Sequence, residues 1–195
     1  MIDNNVEYYN INADSFYNGT VNVDMSPWRD KFENYVSDGG RVLDAGCGSG
    51  RDSRAFKMHG YSVVAIDASR EMCKRASELL DQEVWQMRFE EIAFKDEFNG
   101  IWACASLLHV SQEELPNILK KLREALVPNG VLYVSFKYGE GPSAKGERTF
   151  SNFTEKTAKE LLERAEFDVK ECGITTDVRP GRNDEKWTNV IAVKR

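Results

Sequence analysis

Short apolar runs alternate with segments of helical periodicity along most of the chain. The runs predict seven strands, at residues 41–45, 62–67, 84–88, 100–105, 131–137, 167–174 and 187–194. Apolar residues at helical spacing fill the intervals, as in the segments that begin at Ser26-Pro27 and at Ser69. Strands separated by helices are typical of parallel βαβ units. The pattern therefore predicts an α/β fold with helices on both faces of one sheet.

Capping patterns mark two helix starts in the second half of the chain. Ser111 and Glu114 have the spacing of a capping box and precede a run of apolar residues at helical spacing. Pro116 is expected to break or restart this helix, because proline lacks the N–H that a helix interior needs. Thr154 is expected to begin another helix.

Three alternating glycines follow the first predicted strand. The segment from Asp44 to Gly50 reads Asp-Ala-Gly-Cys-Gly-Ser-Gly, and a helical segment begins at Arg51. Glycine allows a sharp turn and a close approach of the backbone to a ligand. A strand, a glycine loop and a helix in this order are typical of a nucleotide-binding corner at the carboxyl end of a parallel strand.

Two acidic residues indicate which nucleotide fits this corner. Asp44 stands on the strand before the glycines, where a carboxylate would repel a pyrophosphate and attract a cation. Asp67 ends the second predicted strand, where an acid can accept hydrogen bonds from both ribose hydroxyls. The predicted ligand is a nucleoside with a positively charged, amino-acid-like end, and S-adenosylmethionine fits this description.

The chain resembles the class I S-adenosylmethionine-dependent methyltransferases from about Tyr8 to its C-terminus. Four segments carry the resemblance: Asp44–Gly50, Asp67–Ser69, Phe98–Ala103 with Ser106–His109, and Leu126–Leu132. The resemblance implies a Rossmann-like sheet of seven strands, mostly parallel, with the last strand antiparallel beside the fifth. It also implies one methyltransferase domain over residues 1–195, the cofactor S-adenosylmethionine and the product S-adenosylhomocysteine.

Fourteen residues are expected to contact the cofactor. They are Asp44, Gly46, Cys47, Gly48, Gly50, Arg51, Asp67, Ala68, Ser69, Met72, Phe89, Glu90, Ser106 and Leu107. Several of these assignments have an alternative. Asp44 and Asp67 could instead be helix caps, although two acids that bracket a glycine loop favour ligand contact. Arg51 either binds the ligand carboxylate or pairs with Asp52 or Glu33, and Leu107 either faces the methyl donor or packs in the core. The adenine contact is assigned to Phe89 or Glu90, because the acid common in the family after the third strand is missing here.

The acceptor side is expected to involve segments that lie outside the strand pattern. Residues 1–25 form a predicted arm, and the loop from Tyr138 to Phe150 borders the same edge of the sheet. We expect both to form a lid that orders when a ligand binds. The candidate acceptor contacts are Tyr9, Tyr17, Tyr138, Arg148 and Arg179, and the two arginines would meet an anionic group.

His109 is the candidate general base, since imidazole titrates near neutral pH. The alternative is a structural histidine hydrogen-bonded to the backbone. Methyl transfer from a sulfonium needs a base only when the acceptor carries a proton, so the lack of a catalytic triad does not argue against an enzyme. The catalytic residue therefore stays open.

Composition limits the partners. The net charge of −6 and the lack of a long basic stripe favour a small-molecule acceptor over nucleic acid. Methylation of RNA, such as tRNA, stays an alternative, and it would need Lys145, Arg148, Arg179, Arg182 and Lys186 to cluster at the pocket rim. A module that binds the cofactor without transferring methyl is a second alternative.

The cysteines and the apolar runs bear on location. The four cysteines are scattered without metal-ligand spacing, so we expect neither a metal nor a disulfide, and we expect a reducing cytoplasmic setting. No apolar run is long enough for a membrane span, and we expect no membrane partner. The oligomeric state does not follow from the sequence.

Overall fold

The structure, a computed structural model, describes residues 4–195 and is centred on a seven-stranded sheet. In chain order, its strands are β1 (Arg41–Ala45), β2 (Ser62–Asp67), β3 (Trp85–Gln86), β4 (Phe98–Ala103), β5 (Leu126–Lys137), β8 (Phe167–Thr176) and β9 (Lys186–Lys194). Between β5 and β8, the strands β6 (Gly141–Lys145) and β7 (Arg148–Asn152) form a separate hairpin. The spatial order is β3-β2-β1-β4-β5-β9-β8. The first five strands are parallel, and β9 is antiparallel to both of its neighbours. The predicted sheet and its antiparallel last strand are confirmed.

Seven α-helices flank the sheet in the described part of the chain. They are α1 (Asn4–Ile11), α2 (Ala13–Thr20), α3 (Ser26–Glu33), α4 (Arg51–Met58), α5 (Arg70–Leu80), α6 (Leu115–Ala125) and α7 (Glu155–Arg164). None of these helices is long and apolar enough to cross a membrane. The first three residues of the predicted arm lie outside the described residues.

Alternating side chains of the central strands pack into two different cores. In β1, Leu43 belongs to the core that includes α6 and α7, whereas Val42 belongs to the core that includes α3 and α4. In β4, Ile101 and Trp102 divide in the same way. Neighbouring side chains of a strand point to opposite faces, so this division places helices on both faces of the sheet, as predicted.

The helix caps confirm some predicted boundaries and correct others. Ser69 accepts a hydrogen bond from the backbone N–H of Met72 at 3.2 Å, and Thr154 caps α7 in the same manner. The predicted cap at Ser26 is wrong, because Met25 occupies the capping position and Ser26 lies in the first turn. Pro116 stands in the first turn of α6, where the missing N–H costs nothing, so the helix begins there rather than breaking.

The predicted strands differ most from the observed ones at the third and fifth strands, and the bounds of β4, β8 and β9 shift by one or two residues. The third strand is reduced to Trp85–Gln86, and β5 begins at Leu126 rather than at residue 131. The segment from Tyr138 to Phe150 is not a flexible loop, because most of it forms the β6–β7 hairpin. Most residues of β6 are exposed, so this strand lacks the apolar alternation from which a strand is predicted.

The parallel register brings the motif residues to one edge of the sheet. Ala45 of β1 lies opposite Ile66 of β2, and Asp44 lies opposite Trp102 of β4. The glycine loop, Asp67 and the segment after β4 therefore meet where these strands end. This edge is where an open α/β sheet binds its ligand.

A close contact at Gly100 gives a test of the packing between α3 and the sheet. A Cβ atom at Gly100 would lie 2.5 Å from Cζ of Phe32 and 2.9 Å from Cγ2 of Val36. We expect Gly100→Ala to lower the free energy of unfolding by about 1–3 kcal/mol through overpacking, as measured by urea denaturation. Gly19→Ala is the matched control, since a Cβ in α2 meets nothing within 4 Å and should be neutral or stabilising. Equal stability of the two variants would contradict this packing.

Candidate active site

One large cavity opens at the carboxyl edge of β1, β2 and β4. Its volume is about 470 Å³. Its walls come from the glycine loop, from the segments after β2, β3 and β4, from α1 and α2, from the β6–β7 hairpin, and from the loop between β8 and β9. The cavity therefore combines the carboxyl edge of the sheet with segments from both ends of the chain.

The glycine loop is held in place on both sides. The backbone N–H groups of Gly46 and Cys47 both donate to the carbonyl oxygen of Ile66 at 2.9 Å. Gly46 has a φ of +83°, and a Cβ atom there would lie 2.4 Å from Cβ of Ser106. Ser106 in turn donates to the carbonyl of Ala45 at 2.6 Å. Gly46 is therefore needed for its backbone conformation and for the close approach of Ser106, as well as for any contact with a ligand.

Asp67 joins the glycine loop to the segment after β2. One carboxylate oxygen accepts from the N–H of Gly48 at 2.9 Å, and the other accepts from the N–H of Ser69 at 2.8 Å. Burial raises the pKa of Asp67, and these hydrogen bonds oppose the rise. A carboxylate has about four lone-pair positions, so Asp67 keeps acceptor capacity toward the cavity.

Asp44 is a buried carboxyl group in the cavity wall. The hydroxyl of Ser53 donates to its Oδ2 at 2.6 Å. Burial is the main cause that raises the pKa of Asp44 to about 7, and the nearby Asp52 raises it further. A cationic ligand in the cavity would stabilise the ionised form of Asp44.

The second buried acid, Asp52, is already neutralised by the protein. Nε and Nη2 of Arg51 donate to its two oxygens at 2.9 and 2.6 Å. The indole N–H of Trp102 donates to Oδ2 at 2.8 Å, and Nη1 of Arg29 lies 4.0 Å from Oδ1. The predicted alternative that Arg51 pairs with Asp52 is confirmed, and its contact with a ligand carboxylate stays a prediction.

Most of the expected cofactor contacts lie in the cavity wall. They are Asp44, Gly46, Cys47, Gly48, Arg51, Asp67, Ala68, Ser69, Met72, Phe89, Glu90 and Ser106. The structure does not bring Gly50 or Leu107 to this wall. A Cβ at Gly50 would lie 3.2 Å from Cβ of Ala76, so Gly50 serves the packing between the loop and α5. Leu107 is fully buried in the core, as the alternative anticipated, and Leu108 lines the cavity instead.

The expected acceptor contacts divide in a similar way. Tyr9, Arg148 and Arg179 line the cavity. Tyr17 lies instead in a surface groove between α2 and α5, because Phe16, its helical neighbour, is the side chain that points at Gly48. Tyr138 follows the end of β5 and is 45% exposed, outside the wall.

Both ring nitrogens of His109 are engaged. Nδ1 lies 3.1 Å from the carbonyl oxygen of Thr149, which can only accept, so the proton is on Nδ1. Nε2 then accepts a hydrogen bond from the hydroxyl of Tyr9 at 2.8 Å. The predicted backbone-bonded alternative for His109 is confirmed, yet the ring also lines the cavity and is coupled to Tyr9.

Several wall residues were missed by the sequence reasoning. They include Asn5, Phe16, Asp24, Trp28, Cys104, Lys137, Asp177 and Asn189. Phe16 was noted as part of an aromatic arm, and its spacing of seven residues from Tyr9 would have placed both rings on one face if two helices had been predicted there. Lys137 ends the parallel strand β5, so the sequence already indicated its segment at this edge, whereas no local pattern singles out Asp177.

Comparison with known proteins identifies the family. A family model described as a methyltransferase domain matches residues 42–130. An uncharacterized methyltransferase of Staphylococcus carnosus is 28% identical over 194 residues, which cover 90% of this chain and 93% of the relative. The match to this family model and the similarity to this relative support a class I S-adenosylmethionine-dependent methyltransferase.

Two further proteins that are similar to this chain are also methyltransferases. The cypemycin N-terminal methyltransferase of a Streptomyces species is 31% identical over 102 residues, which cover 50% of this chain and 42% of the relative. The 1,6-didemethyltoxoflavin N1-methyltransferase of Burkholderia thailandensis, solved with that compound and S-adenosylhomocysteine, superposes with a TM-score of 0.79 at 23% identity, over 97% of this chain and 84% of that one. The fold of the two enzymes is the same.

The cavity wall of this methyltransferase suits its cofactor. Gly46 and Gly48 present backbone without side chains at the edge of the sheet, and the buried carboxyl of Asp44 suits an ammonium group. The free lone pairs of Asp67 suit ribose hydroxyls. These features match the two ends of S-adenosylmethionine.

The raised pKa of Asp44 predicts that its ionised carboxylate destabilises the free protein and strengthens cofactor binding. Because the folded protein holds this proton more tightly than the unfolded chain does, the free energy of unfolding should fall as pH rises from about 4 to about 7. We expect Asp44→Asn to raise the Tm of the free protein at about pH 8 and to change it little at about pH 5. The same variant should bind S-adenosylhomocysteine at about pH 8 at least tenfold more weakly in calorimetry, since the amide carries no charge. A variant that binds normally would show that Asp44 does not face the ammonium group.

Proposed function

We propose that the enzyme transfers the methyl group of S-adenosylmethionine to a small-molecule acceptor and releases S-adenosylhomocysteine. The observation that carries this proposal is that the cavity extends from the glycine loop to an aromatic and cationic region covered by α1 and the β6–β7 hairpin. A cavity of about 470 Å³ lies within the usual range for small-ligand sites. The acceptor of the Burkholderia enzyme, 1,6-didemethyltoxoflavin, is also a small molecule.

The cover over the acceptor region is held by specific contacts. The side chain of Asn5 accepts from the N–H of Thr149 at 3.0 Å and donates to its hydroxyl at 3.2 Å. The guanidinium of Arg148 lies 4.0 Å from the ring centroid of Tyr8. These contacts join α1 to β7, so an acceptor has to fit beneath them or displace them. A compact molecule meets this requirement better than a polymer does.

The acidic residues at the other end have distinct roles in this proposal. Asp67 accepts the ribose hydroxyls, and Asp44 holds the ammonium group of the methionine part. Phe89 and Glu90 border the adenine, with Met72 on the same wall. Cys47 and Ala68 form part of the cavity wall and take no part in the chemistry. Burial raises the pKa of the Cys47 thiol and keeps it protonated.

Catalysis rests mainly on positioning. When bound, S-adenosylmethionine supplies a methyl group on a sulfonium, which is already activated for displacement. Phe16 lies over Gly48, and Tyr9 packs edge-on against Phe16 with ring centroids 4.9 Å apart. The Tyr9 hydroxyl therefore stands one ring away from the glycine loop, on the acceptor side of the cavity.

His109 acts through Tyr9 when the acceptor carries a proton. Tyr9 Oη accepts the proton of the acceptor while it passes its own proton to Nε2 of His109. The resulting imidazolium keeps its Nδ1–H on the Thr149 carbonyl. His109 was expected to act as a base directly, and its two hydrogen bonds favour this indirect role.

The RNA alternative has one observation in its favour. Four of the five cations that it requires line the cavity, namely Lys145, Arg148, Arg179 and Arg182, whereas Lys186 does not. Arg179 and Arg182 are, however, paired with carboxylates, as is Lys145. Their charges face a covered cavity, which suits one anionic group of a small molecule better than a run of phosphates.

The remaining expectations extend the proposal. We propose that the whole chain acts as one methyltransferase domain and that it works in a reducing cytoplasmic setting, where its four thiols stay free. A module that binds the cofactor without using it would release no S-adenosylhomocysteine with any acceptor, and turnover measurements separate that case.

Cofactor binding tests the donor end of the site. We expect micromolar binding of S-adenosylhomocysteine, about 8 kcal/mol, in titration calorimetry. Asp67→Asn should weaken it at least tenfold, because two charge-assisted acceptors of the ribose are lost. Asp81→Asn makes the same chemical change at the exposed C-cap of α5, in a left-handed conformation that asparagine tolerates, and should bind like the parent. Equal loss in both variants, or in neither, would contradict the assignment.

The Tyr9–His109 pair is tested by the pH dependence of turnover. With an acceptor found by screening small molecules for S-adenosylhomocysteine release, Tyr9→Phe should lower kcat about 100-fold for a proton-bearing acceptor. His109→Gln should flatten the acidic limb of the pH profile, because glutamine cannot take up the proton that Tyr9 passes on. Phe16→Leu is the packing control and should raise KM without moving that limb. An unchanged profile in His109→Gln would leave the pair with a structural role only.

A further inference from the structure

Positive charge collects at the end of the cavity away from the glycine loop. Lys137 ends β5, Lys145 and Arg148 belong to the β6–β7 hairpin, and Arg179 and Arg182 lie between β8 and β9. All five side chains line the same cavity. Three separate segments of the chain therefore bring cations to one place.

A single carboxylate, Glu185, serves three of these cations. Its two oxygens lie 3.2 Å from Nζ of Lys137, 3.3 Å from Nζ of Lys145 and 3.5 Å from Nη1 of Arg182. The two lysines hold the pKa of Glu185 below its usual range although burial opposes this, so Glu185 is ionised at neutral pH. One negative charge cannot neutralise three positive ones.

Arg179 is held by its own carboxylate. Asp177 is buried and accepts from the backbone N–H and Nε of Arg179 at 2.9 and 2.8 Å, and from the indole N–H of Trp187 at 3.2 Å. This arrangement fixes the guanidinium at the cavity wall. Arg179 therefore contributes position and hydrogen-bond donors rather than net charge.

Arg148 contacts two aromatic rings and has one buried nitrogen, Nε, without a hydrogen-bond partner among residues 4–195. Its guanidinium lies between the rings of Tyr8 and Phe150, with centroids at 4.0 and 5.4 Å. Its Nε atom is buried and has no hydrogen-bond partner among residues 4–195. A buried donor without a partner costs free energy that an acceptor in the cavity could recover.

The charges at this end do not balance. Five cations face the two ion-paired carboxylates Asp177 and Glu185 and the further carboxylate of Glu114, so two positive charges remain. Glu114 also lines the cavity, and Ser111 donates to its carboxylate at 2.8 Å beside α6. A cationic acceptor would be repelled here, and a neutral one would leave the positive charges without a counterion.

We infer that Arg148, Lys137 and Lys145 bind an anionic group, a carboxylate or a phosphate, of the small-molecule acceptor. This inference rests on the proposed function and names the chemical class of its substrate. The acceptor then spans the cavity, with its anion under the hairpin and its nucleophilic atom beside Tyr9. Arg179 adds directed donors, and the rings of Tyr8 and Phe150 keep the Arg148 guanidinium in place.

The inference is tested with simple anions on the full chain. Inorganic phosphate and acetate are titrated separately while Tm is followed, against sodium chloride of matched ionic strength, with and without saturating S-adenosylhomocysteine. We expect one of the two anions to raise Tm beyond the chloride reference. The more effective anion tells a phosphate acceptor from a carboxylate acceptor.

An arginine variant inside the cavity and one outside it distinguish a specific anion-binding site from general screening of charges by salt. Arg148→Gln should weaken the response to the effective anion at least tenfold in concentration, whereas Arg164→Gln, an equal charge change at an exposed position of α7, should respond like the parent. Lys145→Gln serves as a second variant if Arg148→Gln melts too early, and it should weaken the response as well, because Lys145 is one of the three proposed anion ligands. Identical responses of the parent and both cavity variants would overturn the inference.

The outcome is distinguishable from failure of the proposed function. Absence of S-adenosylhomocysteine binding would contradict the proposed function, while the titrations of the free protein would still decide the anion site. Normal binding of S-adenosylhomocysteine with no specific anion response would leave the proposed function standing and refute the anion site. Micromolar binding of an RNA hairpin that removes the phosphate response would assign the cations to a nucleic acid.

Discussion

The hydrogen-bonded carboxylate of Asp52 holds the floor of the cavity together. It receives the guanidinium fork of Arg51 from α4 and the indole N–H of Trp102 from β4. Trp102 stacks on Tyr133 of β5 with centroids 3.7 Å apart, and the Tyr133 hydroxyl donates to Asn189 of β9. One buried charge thus ties a helix to three adjacent strands, and removing a partner would leave it uncompensated at high cost.

The neutralisation of Asp52 explains the different state of its neighbour. Asp44 is hydrogen-bonded by Ser53 and feels Arg51 only as a neighbouring charge that is paired with Asp52, so the cost of burial dominates and its pKa is raised. Two acids a short distance apart in the sequence are therefore used differently. Asp52 is satisfied within the fold, whereas the proposed role of Asp44 is to bind the ammonium group of the cofactor. Binding is strengthened by the same lack of a partner that destabilises the free protein.

The sequence was sufficient to predict which residues line the donor end of the cavity, and it was insufficient to predict those that line the acceptor end. The glycine loop, Asp67 and Ser69 lie within short stretches whose strand ends align in any parallel sheet, so their meeting follows from local pattern. The local sequence pattern did not predict which side chains face the cavity where tertiary packing determines their orientation. Whether Leu107 or Leu108 faces the cavity depends on the turn that follows β4, and Gly50 is required by Ala76 of a later helix.

The acceptor end depends on contacts between distant parts of the chain. The helical form of the arm, which turns Phe16 inward and Tyr17 outward, follows from its docking on α5 and β7 rather than from a strong apolar periodicity. The hairpin has an exposed strand, and the pairing of Lys137 with Glu185 spans almost fifty residues. Such contacts leave no trace in residue spacing.

The separate hairpin has a consequence for how relatives of this enzyme diverge. Because β6 and β7 pair with each other and not with the central sheet, a change in their length or side chains leaves the register of the seven strands intact. The family model matches residues 42–130, which end before the hairpin begins. Relatives can therefore differ in the hairpin, and with it in the acceptor end of the proposed site, while the strands that carry the donor end keep their register.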